Sequence, residues 1–175
     1  MKRIVLLLAG LALTTSLCNA QHPSVRYSGD VGLYGCGVSG DYGKGSCISV
    51  ETVHGVDIGK MTFVGIGSGI NYSVSSDEFF VPAFIEGRVN LSRGKGLTPY
   101  ISTKIGGLFC TSRSSNIATL NPSIGVKYSR LSISLGYMYM YFVDKDRMTI
   151  AGTNQAVRTT GADSGFNIGL SYTLF

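Results

Sequence analysis

The side chains with the most capacity for chemistry are seven charged residues spread through the chain: Arg26, Asp30, Glu51, Glu86, Arg88, Lys104 and Lys127. Most stand two residues from small polar neighbours such as Ser28, Ser49, Asn90 and Ser102. Successive strand residues point to opposite faces, so on extended segments all seven fall on one phase, the one expected to face inward. Charges gathered inside a narrow barrel are costly unless paired. An interior salt-bridge network is therefore the expected arrangement, and an ion pathway through a narrow, weakly selective pore is the functional alternative.

Cys36 and Cys47 flank the first proposed hairpin loop in the same inward phase. They form a disulfide if their Cα atoms come within about 7 Å; the other reading is three small buried thiols, with Cys110 the third. His54 is predicted to face outward near one rim, and His22 lies in the N-terminal tail, so no metal centre is expected, since that needs several convergent ligands. A lipid-modifying enzyme with a histidine, serine and carboxylate near the outer leaflet is disfavoured by the same placement of His54. The spaced glycines of Gly35-Cys36-Gly37-Val38-Ser39-Gly40 match a dinucleotide-binding pattern, but no helix follows them. Asp144 and Asp146 open the longest stretch read as loop, Asp144 to Ser164, where a solvated loop is expected in preference to a cation site. No cofactor is implied.

The elements that must position these residues are strands. Period-2 alternation recurs throughout, without a helical stripe, and predicts eight strands: Arg26 to Val38, Gly45 to Val56, Met61 to Val74, Phe79 to Ser92, Thr98 to Cys110, Leu120 to Ser129, Arg130 to Val143 and Gly165 to Phe175. In the seventh, Leu131, Ile133, Leu135, Tyr137, Tyr139 and Tyr141 oppose Ser132, Ser134, Gly136, Met138 and Met140. The tyrosines gather at one end, as an interfacial aromatic girdle would. Gly65, Gly67 and Gly69 share a face and are expected to leave room for bulky neighbours such as Arg88 or Tyr100.

A soluble barrel carries the same alternation turned inside out, so composition decides which face looks inward. Only 14% of the residues are charged, against roughly 25% in soluble domains. The polar face is mostly Gly, Ser and Asn, which suits the side-chain-filled interior of an eight-stranded barrel rather than a water-facing wall. The fold class expected is all-β, an eight-stranded antiparallel up-and-down transmembrane β-barrel. With both termini at the periplasmic side, the connections at 57–60, 93–97 and 129–130 are the short periplasmic turns, while 39–44, 75–78, 111–119 and 144–164 lie outside. A surface-ligand role would run through the last two.

Met1 to Ala20 has a basic head, an apolar run from Ile4 to Leu13 and a small-residue end, and reads as a cleaved signal peptide ahead of one barrel domain, 21–175. Losing Lys2 and Arg3 takes the basic residues from 15 to 13 against 10 acids, a net +3. So mild a charge implies no nucleic-acid partner. The C-terminal segment Phe166 to Phe175 alternates apolar with small or polar residues. Tyr172, Leu174 and Phe175 are read as the signal for barrel insertion, with Tyr172 and Phe175 on opposite strand faces and Leu174 in the terminal lipid-facing place. The expected partners are outer-membrane lipid, lipopolysaccharide and the insertion machinery, and the expected state is a monomer.

Several phrases resemble the small outer-membrane β-barrel family of the Bacteroidetes type, of OmpA- and OmpX-like architecture. They are His54-Gly55-Val56-Asp57-Ile58-Gly59, Phe63 to Gly69, Val81-Pro82-Ala83-Phe84, Thr98 to Ser102 with Lys104-Ile105-Gly106, and Asn121 to Val126. The resemblance covers nearly all of the chain after the leader. It implies the barrel and an outer-membrane location but no activity, since fold does not fix function. The expected role is structural or surface-interactive, with a side-chain-filled polar lumen; a narrow channel for small or hydrophobic solutes is the alternative, and a lipid-modifying enzyme ranks below it.

Overall fold

The computed structural model describes residues 24–41, 43–59, 61–92, 96–111, 116–150 and 153–175. The expected signal peptide and His22 lie outside them. Eight antiparallel strands form one closed sheet in sequence order: β1 Val25–Gly40, β2 Gly43–Ile58, β3 Thr62–Ser73, β4 Glu78–Asn90, β5 Leu97–Cys110, β6 Asn116–Tyr128, β7 Leu131–Ile150 and β8 Thr153–Thr173. β1 closes on β8 from Asp30↔Thr173 to Gly40↔Asp163. Closure leaves no sheet edge along the wall, the condition for strands to stand in hydrocarbon.

The start of β1 and the end of β8 lie at one end, here called proximal, with the β2–β3, β4–β5 and β6–β7 connections. The last is the two-residue turn Ser129-Arg130, where Ser129 adopts φ +56°, the left-handed conformation that twist-matched hairpin turns need. The other end is distal.

The outer wall is apolar. Ile66, Ile85, Ile105, Ile124, Ile133 and Ile168, from six different strands, are each 59–68% exposed. In water such a continuous band would be an aggregation surface; facing lipid it is the stable arrangement. Exposed aromatics border the band at both ends, with Tyr27, Tyr128 and Tyr172 proximal and Phe79, Phe109, Tyr139 and Tyr141 distal. The girdle expected from the seventh strand is present.

One expectation is overturned. The segment Asp144 to Ser164 is not a loop: β7 and β8 continue in register as far as Ile150↔Thr153. β6 accompanies β7 only to Val143, and β1 accompanies β8 only to Asp163, so beyond those points the hairpin is a two-stranded ribbon rising past the distal rim. No regular alternation marks this stretch in the sequence, whereas β-branched residues such as Thr149, Thr153, Thr159 and Thr160 favour extended backbone. The expected loop 111–119 shortens likewise, because β6 begins at Asn116.

Candidate functional site

The lumen is built in layers. Read from proximal to distal, the inward residues of β1 are Arg26, Ser28, Asp30, Gly32, Tyr34, Cys36 and Val38, and those of β4 are Asn90, Arg88, Glu86, Phe84, Pro82 and Phe80. Both run from charge to hydrocarbon.

The ionic layer brings five of the seven predicted charges together. Arg88 Nη2 lies 2.8 Å from Glu86 Oε1 and 2.8 Å from Asp30 Oδ2. Its Nε also donates to Glu86 Oε1 at 3.1 Å. The Glu86 contact has hydrogen-bond geometry, whereas the Asp30 contact is a pairing of charge at short range. Asp30, Glu86 and Arg88 are all buried. One step distal, Lys104 Nζ donates to Glu51 Oε2 at 2.6 Å. Both contacts join non-neighbouring strands, β4 to β1 and β5 to β2, so they cross the lumen rather than run along its wall. The remaining two charges stand apart. Exposed Arg26 and half-buried Lys127 make no ion pair among the described residues. Arg26 precedes the point where β1 meets β8, and Lys127 is opposite Thr98 and Ser132 near the proximal mouth, so water reaches both.

Each buried cation is flanked by two rings. Arg88 Cζ lies 4.9 Å from the centroid of Phe63 and 5.3 Å from that of Tyr100, and Lys104 Nζ lies 3.7 Å from Tyr34 and 4.9 Å from Phe84. Such contacts strengthen when desolvated. The rings fit because glycines face them: a Cβ added at Gly67 would collide with Phe84, one at Gly125 with Tyr100 and one at Gly169 with Tyr34. The room-making role expected of the β3 glycines is present, but the rings beside Gly65 and Gly67 are Phe63 and Phe84 rather than Arg88 and Tyr100.

Cys36 and Cys47 stand directly opposite in the β1–β2 register, Cα atoms 5.0 Å apart, and are disulfide-bonded. Asn71 Nδ2 is 3.4 Å from Cys47 Sγ, and Asn167 donates to Asn121 Oδ1 at 2.8 Å. Cys110 is a free thiol.

Distal to the disulfide the inner face becomes apolar. Leu108, Ile117 and Met140 are buried together, with Val38, Phe80, Met138 and Phe142 packed against them. They line a vestibule of about 380 Å³ whose lower lining includes the disulfide and Asn71, and whose rim carries Lys44, Ser75, Ser76, Glu78 and Asp163. Cys110 also lines it. A smaller cavity of about 40 Å³ adjoins the disulfide and reaches Lys104, Glu51 and Tyr34. The polar lumen expected is present in part: the proximal half holds the buried charges, packed among Val53, Phe63, Phe84 and Tyr100, and the distal half is apolar. A signal existed, because Phe79-Phe80-Val81 and Met138 to Phe142 are apolar on both phases, as a strand must be where hydrocarbon lies on both sides.

At the proximal rim, outside the wall, the Tyr27 hydroxyl and His54 Nδ1 share a hydrogen bond of 2.6 Å. Phe175 packs its ring 5.7 Å from that of Tyr27. Tyr172 and Leu174 face outward as expected, but Phe175 does not take the opposite face. It lies beyond the last residue of β8, so strand alternation no longer governs it. Among the described residues no cluster of three or more His, Cys, Asp or Glu could hold a metal ion.

No protein-family model matches the chain, and no curated protein matches it by sequence. Solved structures do. Neisserial surface protein A is 12% identical with a TM-score of 0.56, the match covering 85% of this chain and 98% of that one. A de novo designed transmembrane β-barrel is 14% identical at a TM-score of 0.45, over 88% and 98% of the two chains. The outer membrane protein AlkL, solved in lipid bilayers, is 13% identical at 0.41, over 87% and 90%. The first likeness is one of fold, and it agrees with the closed, eight-stranded antiparallel barrel formed by this chain.

Proposed function

We propose that this chain is an integral protein of the bacterial outer membrane that serves as a closed scaffold, with a structural or surface-interaction role and no open passage through its lumen. The observation that carries this reading is the pair of ionic contacts spanning the barrel, Arg88 to Asp30 and Lys104 to Glu51, each packed between aromatic rings. An eight-stranded barrel is just wide enough for side chains to fill it, and here they do so with charges whose separation is costly. The apolar belt supports the membrane assignment, and the β7–β8 hairpin, which continues past the strands on either side of it at the distal end, supports a distal mouth on the outer side. The distal mouth and the β7–β8 ribbon then face outward and are the surfaces available to partners. Lipid and lipopolysaccharide contact the belt, a monomer needs no further burial, and Tyr172, Leu174 and Phe175 serve as the handle for the insertion machinery. His54, held by Tyr27 at the proximal rim, argues against a lipid-modifying centre near the outer leaflet. Membership of the Bacteroidetes-type family rests on the residue phrases quoted above.

Membrane fractionation and heat-modifiable gel mobility test the assignment. A heat-dependent shift of a detergent-extracted protein is expected; recovery as a detergent-free soluble protein would overturn it.

A further inference from the structure

We propose that the distal vestibule is a blind binding site for the chain of a single-chain amphiphile, which enters from the distal mouth and leaves its polar head at the rim. The inference rests on the closed lumen proposed above and adds a ligand class to it.

Three observations carry it. First, the cavity has the size of a small-molecule site: about 380 Å³ falls within the roughly 300–1,000 Å³ typical of ligand pockets. Second, one wall is hydrocarbon and thioether, from Phe80, Leu108, Ile117, Met138, Met140 and Phe142, and the apolar surface of the lining exceeds the polar surface that Ser46, Asn71 and Ser73 add. Water held there finds few polar partners, and a buried water needs about two to four, so an apolar chain displaces it favourably at about 25 cal/mol per Å² removed from water. Third, the polarity is ordered along the axis. The rim carries Lys44, Glu78, Asp163 and serine hydroxyls, charges of both signs that suit a polar or charged head, while the floor is the disulfide with Asn71 already engaged on its sulfur. Below that floor the space around Tyr34 narrows to a cavity of about 40 Å³ beside the Lys104–Glu51 pair that crosses the lumen, so a chain of limited length ends there and does not pass through. The shape therefore selects one chain with one head. Flexible methionines at 138 and 140 let the walls fit different chains.

Cys110 supplies the reporter, because it lines this cavity and is not in the disulfide. The folded full-length barrel in lipid nanodiscs is treated with a positively charged methanethiosulfonate, and the rate of Cys110 modification is followed with acetate, octanoate or dodecanoate present. Dodecanoate at about ten times its dissociation constant should slow modification about tenfold, octanoate should slow it less, and acetate should leave it unchanged. Ile117→Trp, which fills the vestibule, should abolish the protection while keeping the heat-modifiable shift of a folded barrel. An unchanged rate with dodecanoate overturns the proposal, as does equal protection by acetate or equal protection in folded Ile117→Trp, which would mark an effect of the bilayer. Should that variant not fold, the chain-length series on the unaltered protein decides alone. Conductance through the barrel would defeat the closed-lumen reading, whereas loss of chain-length dependence defeats only this one.

Discussion

Arg88 Nη2 lies 2.8 Å from Asp30 Oδ2, which ties β4 to β1 across the lumen between strands that share no ladder. The same guanidinium bonds Glu86 on its own strand. Removing Arg88 therefore strands two buried carboxylates. Arg88→Met should destabilise the folded barrel by about 3–5 kcal/mol, as breaking one side of a buried pair does. Neutralising all three with Asp30→Asn, Glu86→Gln and Arg88→Met should recover most of that loss. Urea unfolding in detergent micelles measures both; a single variant as stable as the parent would show that the contact contributes nothing.

Ring and glycine are matched in size as directly opposed residues on neighbouring strands, Tyr34 with Gly169, Tyr100 with Gly125 and Phe84 with Gly67. Gly169→Ala should cost about 1–3 kcal/mol, the usual effect of overpacking, because its new methyl meets the Tyr34 ring that covers Lys104. Tyr34→Ala gives that methyl room, so the double variant should be more stable than the sum of the two single effects by about 0.5–3 kcal/mol. Strict additivity in the same unfolding assay would show that the two positions do not touch.

Thiol counting separates the two readings of the cysteines. The chain from residue 21, unfolded without reductant, should give one titratable thiol, Cys110, and three after reduction. Reduction of the bond closing so short a loop should lower stability by about 3 kcal/mol. Three thiols before reduction would leave Cys36 and Cys47 as free neighbours.

Phe175 extends past β8 and packs on Tyr27, beside the His54 that shares a hydrogen bond with it. Deleting it removes one aromatic contact, about 0.5–1.5 kcal/mol, so the folded barrel should remain intact in detergent. Its use as an insertion handle predicts a larger effect on assembly: pulse-chase labelling should show slower appearance of the heat-modifiable form in cells. Equal assembly rates would leave the residue with only its packing role.

The strands are legible because an apolar outer wall and a small, polar inner one write the same alternation along most of them. Glu86 and Arg88, two apart on one strand, could be paired from sequence, since residues so spaced share a face. Their third partner could not, because Asp30 reaches Arg88 only when β1 closes on β8. The phase of Cys36 and Cys47 was readable for a similar local reason: a hairpin puts them opposite each other. The β7–β8 ribbon is not legible, since residues 144–162 carry no regular alternation of apolar and polar types. The apolar vestibule was obscured by the signal that revealed the rest. Where Phe80, Met138, Met140 and Phe142 face inward between apolar outward neighbours, alternation fades, and the inner methionines share the phase of the small polar face.

Single-channel recording of the purified, folded barrel in planar bilayers tests the closed lumen most directly. Arg88, Lys104 and their four rings predict a silent membrane at all applied voltages. Discrete, reproducible conductance steps from the same heat-modifiable sample would contradict it and make the ionic layer a filter instead of a plug.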